Sequence, residues 1–175
     1  GLAPDREPGV QLRVARCHIA TQQWDEATQR LQAERKARPK SEVADQVAYW
    51  LGFAHFSAGR GDDARRAFQD FLADFPQSSF APQAAYRIGL TFGLPAPAGR
   101  GSLELGVKAH RAFTAKFPQD PLAHEADFQV AQSYVHLGLL DDAIRELIAF
   151  LAKYPDEAKA REIPQARNLL GASYR

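Results

Sequence analysis

The side chains that could carry out chemistry are few and lie far apart in the sequence. His124 opens the string His-Glu-Ala-Asp-Phe, but Phe128 stands where a zinc-binding His-Glu-x-x-His helix needs its second imidazole. The five histidines of the chain have no spacing typical of metal ligands. We therefore predict no metal site.

Paired carboxylates occur at Asp62-Asp63 and at Asp141-Asp142, each just after a glycine-containing turn. At the start of a helix they would satisfy free N–H groups and complement the macrodipole, so we do not expect them to form an acid–base pair in a cleft. The glycine-rich stretch 93–102 lacks the Lys-Ser/Thr ending of a phosphate-binding loop. These patterns predict no enzyme activity and no cofactor.

The single cysteine, Cys17, has no partner for an internal disulfide. It lies in an apolar helical pattern without a basic cluster that would favour its thiolate. We predict that it is a small buried hydrophobic residue.

Composition points to a soluble folded protein of 175 residues, with 45% apolar and 25% charged residues. The net charge of +1 gives no basic surface for nucleic acid, and no apolar run has the roughly eighteen residues of a membrane span. The chain contains no methionine and opens without a signal peptide. It is therefore expected to be a fragment of a longer chain whose signal or anchor has been removed.

The structural elements that must position these residues recur along the chain as sequence repeats. Proline recurs at Pro39, Pro76, Pro118 and Pro155, at intervals of 37, 42 and 37 residues. A repeat of this length is typical of stacked supersecondary units.

One repeat shows what each unit is. Apolar residues recur at steps of three and four on both sides of the turn at residues 58–61, which predicts two helices joined as a hairpin. Gly52, and Gly89 in the next repeat, stand where the two helices approach closely, and the phenylalanines of each second helix are expected to fill the core.

The units are approximately 8–39, 45–76, 82–118 and 124–155, with a closing helix at 163–174, in a single domain over 1–175. This gives about nine helices and an all-α fold. The turn at 93–102 is longer than the others, either as a tolerated insertion or as a partner contact.

The repeats resemble the tetratricopeptide repeat. Leu51-Gly52, Ala64, Phe68 and Pro76 carry the resemblance in one unit. The corresponding set in the fourth unit is Val130-Ala131, Ala143, Leu147 and Pro155. The resemblance implies an α-solenoid in which antiparallel helical hairpins form a right-handed superhelix.

A narrower resemblance lies in the phrase "DFPQSSFAPQAAYRIG". It is similar to bacterial envelope repeat proteins of the Tol-Pal coordinator and outer-membrane β-barrel assembly lipoprotein type. That similarity implies a periplasmic or cell-envelope location and a role in outer-membrane assembly.

The tetratricopeptide resemblance also implies which residues point into the concave face. They are Gln46, Tyr49, Phe53, Phe56, Gln83, Tyr86, Leu90, Glu125, Phe128, Gln132 and Val135. Aromatic rings on rigid helices can anchor a peptide, so the predicted function is a scaffold that binds a peptide or a partner protein, without nucleic acid and without insertion into a membrane. Self-association is a second protein contact that such a surface allows.

Two alternatives stay open. The rings of the concave face could instead seal the stack between neighbouring repeats. The chain could also be an accessory repeat module of a larger multidomain protein or enzyme whose chemistry lies outside this fragment.

Overall fold

The computed structural model describes residues 9–155 and 162–174, and all regular structure among them is helical. The helices are α1 (Val10–Ala20), α2 (Trp24–Ala37), α3 (Ala44–Ser57), α4 (Gly61–Asp74), α5 (Ala81–Leu90), α6 (Arg100–Lys116), α7 (Leu122–His136), α8 (Leu140–Lys153) and α9 (Ile163–Ser173). The predicted all-α fold and the number of helices are confirmed for this part of the chain. None of the described helices is both long and apolar enough to cross a bilayer.

Short turns fold successive helices onto each other. The turns before α2, α4 and α8 each place one residue in the left-handed region, namely Gln22, Gly59 and Gly138, with φ of 59°, 73° and 69°. Glycine adopts this conformation without steric cost, which explains its use in two of the three turns. Acidic residues occupy the first turn of α2, α4 and α8, and those of α4 and α8 are the paired aspartates that were predicted at helix starts.

Contacts divide the chain into two compact units, one ending at Arg87 and the other beginning at Ile88. In the first unit α1 packs on α2 and α3, and α3 packs on α4. In the second unit α6 packs on α7, α7 on α8, and α8 on α9. The boundary falls within α5.

The core of the first unit depends on a close approach of α3 and α4. Phe68 and Phe71 of α4 are fully buried. A Cβ atom added to Gly52 would lie 2.6 Å from Cδ1 of Phe68, a distance that real contacts do not show. The ring therefore occupies the space that the missing side chain leaves, which confirms the predicted role of this glycine.

The second unit repeats this device with a histidine. The imidazole of His110 in α6 is fully buried, and its Nδ1 would lie 2.3 Å from a Cβ atom added to Gly89. His110 Nε2 and Gln129 Oε1 of α7 are 3.0 Å apart, within hydrogen-bond distance. The predicted close packing at Gly89 is confirmed, with an imidazole in place of a phenyl ring.

The long turn between α5 and α6 is more buried than its composition indicates. Leu94 and Pro97 are buried, and Leu94 joins a core cluster with Leu103 and Val107 of α6. A Cβ atom on Gly106 would lie 2.7 Å from Cγ of Leu94. The predicted loop 93–102 is also shorter than expected, because α6 begins at Arg100. The turn extends the core of the second unit.

Candidate functional site

Three of the eleven residues predicted to bind a partner lie in the core. Tyr49, Tyr86 and Phe128 are 5%, 7% and 2% exposed. The ring of Tyr49 stacks on Phe80 at a centroid distance of 4.6 Å, and that of Phe128 lies 5.4 Å from Phe150. These three rings offer almost no surface to a partner, and those of Tyr49 and Phe128 pack against other buried rings.

The other eight predicted residues are half-buried and divide between the two units. Those of the first unit are Gln46, Phe53, Phe56 and Gln83. Those of the second unit are Leu90, Glu125, Gln132 and Val135. Each unit is therefore a separate candidate surface.

The first unit contains an open groove between α1 and α3, with a volume of about 560 Å³. We call it the α1–α3 groove. Its lining consists of Arg13, Arg16, Cys17, Ile19, Ala20, Trp50 and Phe53. Phe53 is thus the predicted binding residue that the structure places in an accessible groove of the first unit.

The aromatic wall of this groove is held by neighbouring rings. Trp50 and Phe53 meet edge to face with centroids 5.1 Å apart, and Trp50 meets Tyr49 in the same way at 5.8 Å. Trp50 and Phe53 also pack against the core cluster formed by α1, α2 and α3. Such packing fixes the rings before any partner arrives, which lowers the entropic cost of binding.

Arginine side chains lie over both rings. The guanidinium of Arg16 lies 4.9 Å from the Trp50 centroid. That of Arg87, from α5, lies 4.7 Å from Phe53 and 5.5 Å from Phe56. Arg87 Nε also donates a long hydrogen bond of 3.4 Å to the hydroxyl of Tyr49. Cation–π attraction therefore holds Arg16 at the groove, and it holds Arg87, which is not one of the lining residues, against the rings of Phe53 and Phe56.

The charge of the groove is not neutralised by residues 9–155 or 162–174. Among them, no carboxylate forms an ion pair with Arg13, Arg16 or Arg87. By contrast, Arg35 pairs with Asp74 at 3.0 Å elsewhere in the same unit. The groove is therefore a basic surface on a chain whose overall charge is close to zero.

The structure corrects the prediction for Cys17, which is exposed rather than buried. Leu12, Ala15 and Ile19 form the buried face of α1, so the helical period places Cys17 with Arg13 and Arg16 outside that face. The two arginines are also the basic neighbours that the sequence interpretation failed to recognise. The spacing of the buried residues was the signal that could have placed all three in the groove.

Trp50 was also missed by sequence reasoning. It is three residues before Phe53 and thus on the same face of α3, which the helical period could have shown. The neighbouring residue Tyr49 was predicted instead, and the structure places it in the core.

The second unit presents a smaller polar pocket of about 400 Å³. Its lining consists of Glu125, Phe128, Gln129, Gln132, Glu162 and Gln165. Behind it, Nδ1 of His124 lies 2.8 Å from a carboxylate oxygen of the buried Glu162. No group of three or more metal-ligating side chains occurs within the described residues. Val135 packs against the core cluster of α7, α8 and α9.

Comparison with known proteins agrees with the helical-hairpin architecture. The sequence profile of the tetratricopeptide repeat matches residues 46–78 and 125–157. No curated protein sequence matches the chain.

Solved structures give the same result for the fold. A protein from Podosopora anserina described as a kinesin light chain with nearly identical TPR-like repeats superposes with a TM-score of 0.65 at 14% identity, over 94% of this chain and 83% of that one. A double mutant of MamA RS-1 gives 0.61 at 15% identity, over 94% and 87%. MamA AMB-1 gives 0.55 at 20% identity, over 94% and 82%. At these identities the likeness concerns the fold alone. Residues 46–78 and 125–157 of this chain therefore match the tetratricopeptide repeat, and its all-helical fold is similar to that of proteins with TPR-like repeats.

Proposed function

We propose that this chain is a non-enzymatic scaffold that binds a peptide, or a peptide-like surface of a partner protein, in the α1–α3 groove. The observation that carries the proposal is the groove itself, where Trp50 and Phe53 are held by the core yet remain partly accessible. Aromatic and arginine side chains in fixed positions are the groups that contribute most at protein interfaces. Tetratricopeptide-repeat proteins are generally scaffolds of this kind, and the family match supports the same reading.

A location in the bacterial cell envelope is a second part of the proposal. It is supported by the similarity of the phrase from Asp74 to Gly89 to envelope repeat proteins. The test is fractionation of cells that express the complete reading frame, with detection of the protein in the periplasmic or membrane fraction. Recovery in the cytoplasmic fraction would contradict this location without affecting the groove.

The binding proposal is tested by selecting peptides from a displayed random library on the purified chain. Selected peptides are then titrated against the wild type and Trp50→Ala. We expect the substitution to weaken binding by about ten-fold or more, which corresponds to at least about 1.4 kcal/mol, because it removes a ring that forms the groove wall.

A matched control is available because the chain has two tryptophans. Trp24 lies on α2, is half-buried and packs against the same core cluster as Trp50, but it does not line the groove. Trp24→Ala should therefore reduce stability comparably and leave the affinity for the peptides unchanged. Equal losses in both variants would show that the effect comes from destabilisation, and no loss in either would refute the groove as the binding site.

The single cysteine gives an independent measurement. Because Cys17 is exposed and lines the groove, a peptide seated there should slow its alkylation by iodoacetamide. Unchanged alkylation at a saturating peptide concentration would place the peptide elsewhere on the protein.

A further inference from the structure

We infer that the α1–α3 groove selects an acidic segment that carries a large apolar or aromatic side chain. This inference rests on the proposed function, because it names the chemistry of the occupant of the same groove. Two features of the first unit support it. They are the basic groups at the aromatic wall and the apolar residues that line the groove.

The basic groups are Arg13 and Arg16, which line the groove, and Arg87, which stacks on the groove-lining ring of Phe53. None of them forms an ion pair with another described residue, although arginines elsewhere in the unit do. Arg13 and Arg16 come from α1, whereas Arg87 comes from α5, so the cations reach the aromatic wall from two different helices. A partner with carboxylates at two points would supply counter-charges that the groove itself lacks.

Cation–π contacts prepare two of these arginines for that role. Arg16 over Trp50 and Arg87 over Phe53 are held near the groove by the rings. A stacked guanidinium keeps its N–H donors free at the edge of the plane, where they can bind a carboxylate through two parallel hydrogen bonds. The stacking itself therefore positions these donors without using them, although Nε of Arg87 already donates to the hydroxyl of Tyr49.

The apolar residues that line the groove favour a partner with an apolar side chain. Ile19 and Ala20 lie beside the small side chain of Cys17, and the rings of Trp50 and Phe53 complete the wall. An acidic segment without such a side chain would leave this surface hydrated and gain only screened electrostatic attraction. The occupant is thus expected to combine an apolar anchor with flanking aspartate or glutamate.

A single-stranded nucleic acid also offers negative charge and flat rings. The groove favours a peptide because its cations form a short cluster rather than a track along several phosphates, and the chain as a whole has a net charge of only +1. An oligonucleotide is nevertheless included in the test as a competing occupant.

The experiment uses fluorescein-labelled nonapeptides and anisotropy titrations of the full chain at low and moderate salt. One peptide has a central tryptophan flanked by aspartate and glutamate. Its neutral version has asparagine and glutamine at the acidic positions, and its anchorless version has alanine in place of tryptophan. We expect the acidic peptide with the anchor to bind about ten-fold more tightly than either relative, and salt to weaken it more than the neutral version.

Arginine variants then assign the effect to the groove. Arg16→Gln and Arg87→Gln should each weaken the acidic peptide at least about three-fold while changing the neutral peptide little. Arg30→Gln is the matched control, since Arg30 is exposed, lies on α2 and contacts Gln11 rather than a carboxylate. Arg16→Lys and Arg87→Lys retain the charge, so they should retain part of the selectivity even if loss of stacking lowers stability.

The outcomes separate this inference from the proposed function. If library peptides bind in a manner that depends on Trp50, but the acidic and neutral peptides bind equally, the preference for acidic segments is wrong and the groove remains a binding site. Tighter binding of a twelve-nucleotide oligothymidylate, competing for the same arginines, would likewise overturn it. If no peptide slows the alkylation of Cys17, the proposed function itself fails.

Discussion

Acidification should weaken the second unit through His110. Burial lowers the pKa of this imidazole from its ordinary value of 6.5 to about 4, against the opposing effects of the hydrogen bond to Gln129 and the negative charge of Asp127. The ring is fully buried and fills the space over Gly89, so water cannot solvate an imidazolium there. The folded protein therefore keeps His110 neutral over a pH range in which the unfolded chain protonates it.

The sign and size of the effect follow from this difference. Between pH 6.5 and about 4 the unfolded chain binds a proton that the folded chain does not, so the free energy of unfolding falls as the pH falls. The contribution is fully present above pH 6.5. Its complete loss amounts to about 3 kcal/mol, from about 1.4 kcal/mol for each pKa unit.

The assay is urea denaturation at several pH values between 7 and 4, followed by far-UV circular dichroism. Tryptophan fluorescence is unsuitable, because Trp24 and Trp50 both lie in the first unit. We expect His110→Gln to show a smaller loss of stability with falling pH than the wild type. His136→Gln, at an exposed position of α7, should keep the wild-type slope. Equal slopes in the His110 variant and the wild type would refute the reasoning.

Three further predictions concern packing and a buried charge, each measured by urea denaturation at pH 7. Gly52→Ala should lower the free energy of unfolding by about 1–3 kcal/mol, since its methyl group has no space, whereas Gly171→Ala in α9, with open space around it, should raise it by about 0.5–1 kcal/mol. Phe113→Ala should cost about 3–5 kcal/mol, and a loss below about 1 kcal/mol would show that the site is not part of the core. Arg38→Ala should cost about 1–3 kcal/mol because it removes the partner, 2.8 Å away, of the buried Glu34 carboxylate. If the double variant Glu34→Leu/Arg38→Ala is no more stable than Arg38→Ala, the buried charge is not the cause.

The fold could be predicted in detail because its signals are local. Proline at the repeat ends, glycine in the turns and the three- and four-residue apolar steps each act over a few residues. The positions of Gly59 and Gly138 in left-handed turns follow from the same logic. The close helix contacts at Gly52 and Gly89 could also be predicted, because they require only that the two helices of a hairpin touch.

The candidate site could be predicted only in part because it depends on contacts between repeats. A tyrosine at position 49 can face a groove or a neighbouring helix, and the rings of Phe68 and Phe71 together with Phe80 beyond the repeat end place it in the core. Similarly, Arg16 becomes part of an aromatic surface because α1 lies against α3, and Arg87 because its side chain reaches Phe53. The apolar period within a single helix does not indicate such contacts between helices.

The buried turn between α5 and α6 limits how this array can be rearranged. Leu94 fills the space over Gly106 in a way that the short turns of the other hairpins cannot reproduce. A repeat copied from residues 45–76 into this position would arrive without that side chain and leave a cavity beside Leu103 and Val107. The long turn and α6 must therefore be inherited, shortened or transplanted together, and the third hairpin is not an interchangeable module.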